Sequence, residues 1–249
     1  MKLSRNAAIN ALLCAAMIGA IVTQSQVAKA QGAPAASPND ITAIDILLEP
    51  DDTMLQHAQA VNDRLLKVFP KGFALDASHR PHITLVQRFV LTKNLDKVYA
   101  AVGKVFATSD VTGLKLEAIK YYYLPDKTLG LAGIVIKPTP ELIKLELKVI
   151  DAVTPYVVKT GTSAAFVTKP GDPEVVAGLI PYVSDFVPKS SGNNYHPHVT
   201  TGLAPAEYLD KMGAEPFQTF TFSPIGAAVY HLGDYGTAAK ELHTFQLKK

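Results

Sequence analysis

Two segments that read as β-strands open on the same pattern, Pro-His-X-Thr, at His82-Ile83-Thr84 and His198-Val199-Thr200. The two histidines stand 116 positions apart. A strand turns residues i and i+2 to one face, so each His shares a face with its Thr. Such a duplication asks for a chain of two related halves. Set against each other, they would enclose a groove holding two imidazoles and two hydroxyls. None of the other five histidines has a hydroxyl residue two positions on.

The surrounding pattern supports two halves. Residues 41–49, ITAIDILLE, read as a strand. Pro50-Asp51-Asp52-Thr53 opens a helix with an apolar stripe running to about Phe69. Residues 82–91 form the next strand, 94–107 a helix, and 114–124 with 129–137 a hairpin about Pro125-Asp126-Lys127. A long amphipathic helix starts at Pro140 and breaks near Pro155. Residues 160–173 form a loop or excursion, 174–187 a second helix interrupted by Pro181, and 188–195 a polar loop. A strand from His198, a short helix at 205–211 and three closing strands complete the order. Helices alternate with hairpins, which predicts an α+β or mixed-sheet chain.

The first thirty residues are set apart. Lys2 and Arg5 precede an apolar run at 7–22, and Ala28-Lys29-Ala30 forms a small-residue cleavage pattern, as in a secretory leader. The run is shorter than the roughly 20 residues of a membrane span and contains Asn10. The expected mature chain starts at Gln31, with residues 31–40 a Pro/Ala/Ser-rich flexible tether and 41–249 a single domain. The expected location is the periplasm or outside the cell, with no lasting membrane anchor. Cys14, the sole cysteine, leaves with the leader, which excludes disulfides, Cys catalysis and Cys–zinc sites from the mature chain. The whole chain carries 24 basic and 22 acidic residues. Loss of Lys2, Arg5 and Lys29 leaves 21 basic residues against 22 acidic ones. A chain so balanced has no extended nucleic-acid face, so affinity for phosphate has to be local.

Opposed imidazoles make an acid–base pair. A neutral His can deprotonate water while a protonated one donates to a leaving oxygen, and an ordinary pKa near 6.5 suits both roles. Thr hydroxyls can donate to the non-bridging oxygens of a phosphate as charge develops. This equipment opens a cyclic phosphodiester without a metal or other cofactor. The alternative is that both histidines are buried strand residues in satisfied hydrogen bonds.

The tetrads H-I-T-L and H-V-T-T resemble the paired H-x-[ST]-x motifs of the 2H phosphoesterase superfamily, which includes the 2′-5′ RNA ligase-like proteins and cyclic phosphodiesterases. The resemblance spans about residues 41–248 and implies a bilobal fold. Two pseudo-symmetric lobes, each a mainly antiparallel sheet with flanking helices, would surround a central groove. It also implies that His82 and His198 are the acid–base pair and that Thr84 and Thr200 hold the phosphate. The expected substrate is a 2′,3′-cyclic nucleotide or an RNA 2′,3′-cyclic phosphate end, turned over by a monomer. Three features depart from the family. Its members are commonly intracellular, the fourth position of the second motif is Thr201 where an apolar residue is common, and the stretch at 160–195 is long enough for a substrate-specific flap.

Other candidates rest on parity or position. Arg88 shares the parity of His82 and Thr84, provided no bulge intervenes. Gly202 has the matching parity in the second strand. Tyr123, in the Tyr121-Tyr122-Tyr123 run, and Tyr195 are candidate rings for stacking on a base, with core packing the ordinary reading of each. His79, His82, His196 and His198 offer a metal site as a rival reading, though no Asp or Glu nearby in sequence completes it. A binding module that captures a nucleotide without turnover is the other rival. P-loop, GxGxxG, G-x-S-x-G and H-E-x-x-H patterns are missing, which removes the usual support for the functions they mark.

Overall fold

The computed structural model describes residues 40–168 and 174–248. The leader expected at 1–30 and residues 31–39 of the tether lie outside them. The described chain runs β1 (Ile41–Pro50), α1 (Asp52–Val68), β2 (Ile83–Leu91), α2 (Leu95–Ala107), β3 (Leu116–Asp126), β4 (Leu129–Ile136) and α3 (Pro140–Val153). It continues with β5 (Val157–Val158), α4 (Leu179–Ser190), β6 (His198–Pro205), α5 (Ala206–Gly213), β7 (Phe220–Phe222), β8 (Pro224–Leu232) and β9 (Ala238–Thr244). The order read from the sequence holds, with the two-residue β5 added. The helix expected at 174–187 lies later, at 179–190. Pro181 sits in its first turn, where its missing N–H breaks no helical hydrogen bond.

The strands form two antiparallel sheets, in the orders β5-β2-β1-β8-β9 and β6-β4-β3-β7. The chain thus has the expected α+β class, with one Pro-His-X-Thr segment in each sheet.

Local chemistry fixes the helix starts. The Asp51 side chain accepts from the Thr53 and Met54 amides to cap α1. Its second oxygen takes the Ser223 amide at 2.8 Å, which ties the helix start to the approach to β8. Thr139 caps α3, and Pro140 occupies the first helical turn.

One core joins the sheets. Ile44, Ile46 and Leu48 of β1 belong to the same buried cluster as Ile83 of β2, Ile134 of β4 and Val199 of β6. The alternate residues of β1 face the other way. Ala43 packs in a second cluster with Phe89, Phe166, Leu179 and Val183, where α4 covers the sheet. Asp45 lies on that second face, between Ala43 and Leu47, and is fully buried.

Both motif strands carry a β-bulge just past the Thr. Against β1, Thr84 pairs with Leu47 and Val86 with Ile46, so Leu85 is the extra residue. Against β4, Thr200 pairs with Gly133 and Gly202 with Ala132, so Thr201 is extra. A bulge reverses the parity of everything beyond it.

The second bulge is held from outside by Asn62 of α1. Its amide donates to the Thr201 carbonyl at 2.8 Å and the Phe73 carbonyl at 2.9 Å, and its oxygen accepts from the Leu75 amide at 3.2 Å. Gly202 takes φ +142°, and a Cβ there would lie 2.9 Å from Asn62 Nδ2. Only glycine is comfortable in that conformation and in that space. Asn62→Ala orphans all three backbone groups. The expected cost is about 3 kcal/mol of unfolding free energy, on a penalty of about 1–3 kcal/mol for each unsatisfied buried group and partial relaxation. Urea denaturation measures it; a loss below about 1 kcal/mol would mean that water replaces the amide.

Candidate functional site

The two motifs meet. His82, Thr84, His198 and Thr200 all line one cleft of about 320 Å³, with Tyr182 of α4 along its side. The stretch expected to form a flap supplies Val176 to Leu179 to the same wall, and its residues 169–173 lie outside the described ones. Thr84, His198 and Tyr182 also line an adjoining recess of about 200 Å³, whose wall includes Tyr122 and Lys189.

The Pro-His pairs set the imidazoles. Pro disfavours the helical region for the residue before it and holds that residue extended. The carbonyl two positions before each His is thereby aimed at the ring. His82 Nδ1 lies 2.6 Å from the Arg80 oxygen, and His198 Nδ1 lies 2.9 Å from the His196 oxygen. A carbonyl only accepts, so both Nδ1 atoms carry hydrogen. The same contact thus leaves Nε2 as the working nitrogen of each ring.

The two Nε2 atoms differ. That of His82 lies 3.3 Å from Asp45 Oδ2. With acceptors at both nitrogens, His82 is satisfied only as the doubly protonated imidazolium. Burial pulls its pKa down, but the hydrogen bond and charge of Asp45, with the Arg80 carbonyl, leave it above the ordinary value. His198 Nε2 meets no protein hydrogen-bond partner among the described residues. Burial, only partly offset by the His196 carbonyl, brings its pKa down to about 4. Two rings driven apart in this way can serve one as an acid and the other as a base.

Asp45 and Gln87 also belong to the site, and no motif announces either. Asp45 Oδ2 accepts from Thr84 Oγ1 at 2.7 Å and from Gln87 Nε2 at 2.9 Å, while Oδ1 is buried without a partner among the described residues. The one sequence signal is a lone acid inside the apolar strand ITAIDILLEP. Thr84 therefore directs its hydroxyl hydrogen to Asp45. The Thr200 hydroxyl has no protein partner among the described residues, and its residue lines the cleft.

The parity expectation for Arg88 is corrected. Arg88 does not line the cleft, because the bulge at Leu85 turns Gln87 to the face that simple alternation gives Arg88. Burial lowers the pKa of Arg88, whose Nε has no partner among the described residues. Gly202 is turned in the same way, toward Asn62 and Leu65 of α1. Tyr123 is also corrected: it packs over Gly130 and donates to Asp210 of α5, away from the cleft. Its neighbour Tyr122 takes the inner face, with its ring centroid 5.1 Å from that of His198. Tyr195 lines the recess that adjoins the cleft, beside Thr84, Tyr182 and His198. It is buried, and its hydroxyl donates to the Thr84 carbonyl at 2.7 Å, linking the two motif segments. His79 bonds Asp76 at 3.1 Å and stacks on Phe73, so it does not join His82. Among the described residues, no group of three or more His, Cys, Asp or Glu is placed to hold a metal.

No protein-family model matches the sequence, and no curated protein matches it. Solved structures do resemble it. The chain is similar to TT0787 of Thermus thermophilus, at 15% identity and TM-score 0.49, over 83% of this chain and 98% of that one. It is similar to E. coli LigT in apo form, at 10% identity and TM-score 0.38, over 84% and 99%. It is also similar to Kluyveromyces marxianus Usb1, at 10% identity and TM-score 0.41, over 84% and 99%.

Proposed function

We propose that this chain is a phosphoesterase of the 2H type that hydrolyses cyclic phosphodiesters, a 2′,3′-cyclic nucleotide or an RNA 2′,3′-cyclic phosphate end. The observation that carries the reading is the unequal pair: two imidazoles fixed alike at Nδ1, sharing one cleft, one against a buried carboxylate and one without. His198 Nε2 takes a proton from water as its oxygen attacks phosphorus. One of the two ring P–O bonds breaks, and His82 gives its Nε2 proton to the departing sugar oxygen. The product is a phosphate monoester. Proton exchange with solvent then resets both rings. Thr200 donates to a non-bridging oxygen, and Thr84 does so once its hydroxyl leaves Asp45. The proposed setting is the periplasm or the cell exterior, from the leader-like pattern at 1–30, and the proposed form is a monomer.

The test uses residues 31–249 and a panel of 2′,3′-cyclic nucleotides, with and without chelator. Monoester product formed equally in both conditions is expected. Tight binding without product would replace the reading by a capture protein, and turnover lost only in chelator would replace it by a metal site.

A further inference from the structure

We propose that Asp45 is a positioning residue for the first motif, its Oδ2 holding the Nε2 hydrogen of His82 and the hydroxyl hydrogen of Thr84 ready before substrate enters. This deepens the reading above and rests on it, since it concerns how His82 comes to be the acid.

The geometry is specific. Three donors, His82 Nε2, Thr84 Oγ1 and Gln87 Nε2, converge on one carboxylate oxygen at 3.3, 2.7 and 2.9 Å. A carboxylate on the second face of β1, under α4, has no solvent to neutralise it. Burying a charge is costly unless it is paired and hydrogen-bonded. Among the described residues, the ion pair that Asp45 makes is with His82 itself. The fold therefore stabilises the imidazolium and the carboxylate only together. The Nδ1 contact alone cannot do this, because His198 makes the same contact and has no carboxylate.

Other charged and titratable groups stand around the pair. Arg80, before β2, is engaged by Glu49 of β1 at 3.0 Å. Tyr182 of α4 and Tyr195 feel the Asp45 charge, and desolvation of their hydroxyls raises both above the ordinary phenol range. His198, with His196 behind it, faces His82 across the cleft and is repelled by it. None of these supplies a second anion to His82. Asp45 is therefore the group whose removal should release its proton.

When substrate arrives, its leaving oxygen replaces Oδ2 as the acceptor at Nε2, and a phosphate oxygen replaces it at Thr84. Asp45 keeps Gln87 as a donor throughout. The carboxylate thus holds in advance the donors that the phosphate will use, without reacting.

The test is the titration of His82 by NMR of its ring nitrogens in the wild-type chain and in Asp45→Asn, which keeps shape and an acceptor oxygen. The expected midpoint falls by about a unit or more, the size of shift that one close opposite charge typically gives. Gln87→Leu, which removes a donor but keeps the charge, is expected to move it far less. The resonances of His57 and His243, which stack on Phe220 and Tyr99, report whether each variant is folded. The alkaline limb of kcat should move down with the His82 midpoint while KM changes less. An unmoved midpoint in folded Asp45→Asn overturns the proposal, as does an equal shift in Gln87→Leu. A midpoint that falls while the limb stays supports Asp45 as the holder of the proton but shows that His82 is not the acid, which overturns the proposed function instead.

Discussion

Replacing His82 or His198 by Ala is expected to lower the hydrolysis of a 2′,3′-cyclic nucleotide by about 10² to 10⁴, the usual contribution of a positioned acid or base. The two losses should differ in character. His198 is half-buried at the cleft, so His198→Ala removes the proposed base with little disturbance of packing. His82 is buried and answers Asp45, so His82→Ala also strands a carboxylate in the interior. Breaking such a pair typically costs about 3–5 kcal/mol, and Tm should fall with activity. His82→Gln, which keeps a donor for Asp45, separates the effects. It should recover much of the stability and little of the rate. Measured kcat and Tm for the three variants decide the matter. Full activity in His82→Gln would remove His82 as the acid.

The pH dependence of kcat should be bell-shaped, with limbs set by the opposite shifts of the two rings. His198 must be neutral to accept a proton, and its pKa lies at about 4. Rate should therefore rise as pH passes upward through that region. His82 must be protonated to donate, and its pKa is raised above the ordinary 6.5. Rate should therefore fall only as pH climbs past that raised value. Two unperturbed histidines would instead confine the active fraction to a narrow window about 6.5. Beyond each limb the rate should drop about tenfold per pH unit, as a single ionisation requires. A profile with both limbs close to about 6.5 would show that the environments of the two rings are alike, contrary to the geometry.

The motif pair and the element order were legible because both are local. Pro fixes the backbone beside each His, and the spacing of two is a property of any strand. The four residues that this pattern names all line one cleft. What lies one step further along each strand was not legible. Nothing in Thr84-Leu85-Val86 or Thr200-Thr201-Gly202 announces a bulge, yet each bulge turns the next residues over. Strict alternation assigns Arg88 and Gly202 to the groove, and the backbone interrupts that alternation. The choice between Tyr122 and Tyr123 turns on register with β4, a pairing set by tertiary structure. Asp45 is the clearest case. Its partners Thr84 and Gln87 lie 39 and 42 positions away, on a neighbouring strand. Only pairing β1 with β2 shows that the acid buried in the first strand stands behind the first motif.

In the proposed reaction His82 and His198 act as one device, which a double-mutant comparison puts to the test. Kinetics of His82→Gln, His198→Ala and the combined variant are measured beside the wild-type chain, in chelator, at one pH between the two limbs. Residues that act as a unit are grossly non-additive, so that losing either costs about as much as losing both. The combined variant is expected to retain the rate of the slower single variant within a few-fold. Two losses that multiply, or a combined variant as active as the wild-type chain, would contradict it.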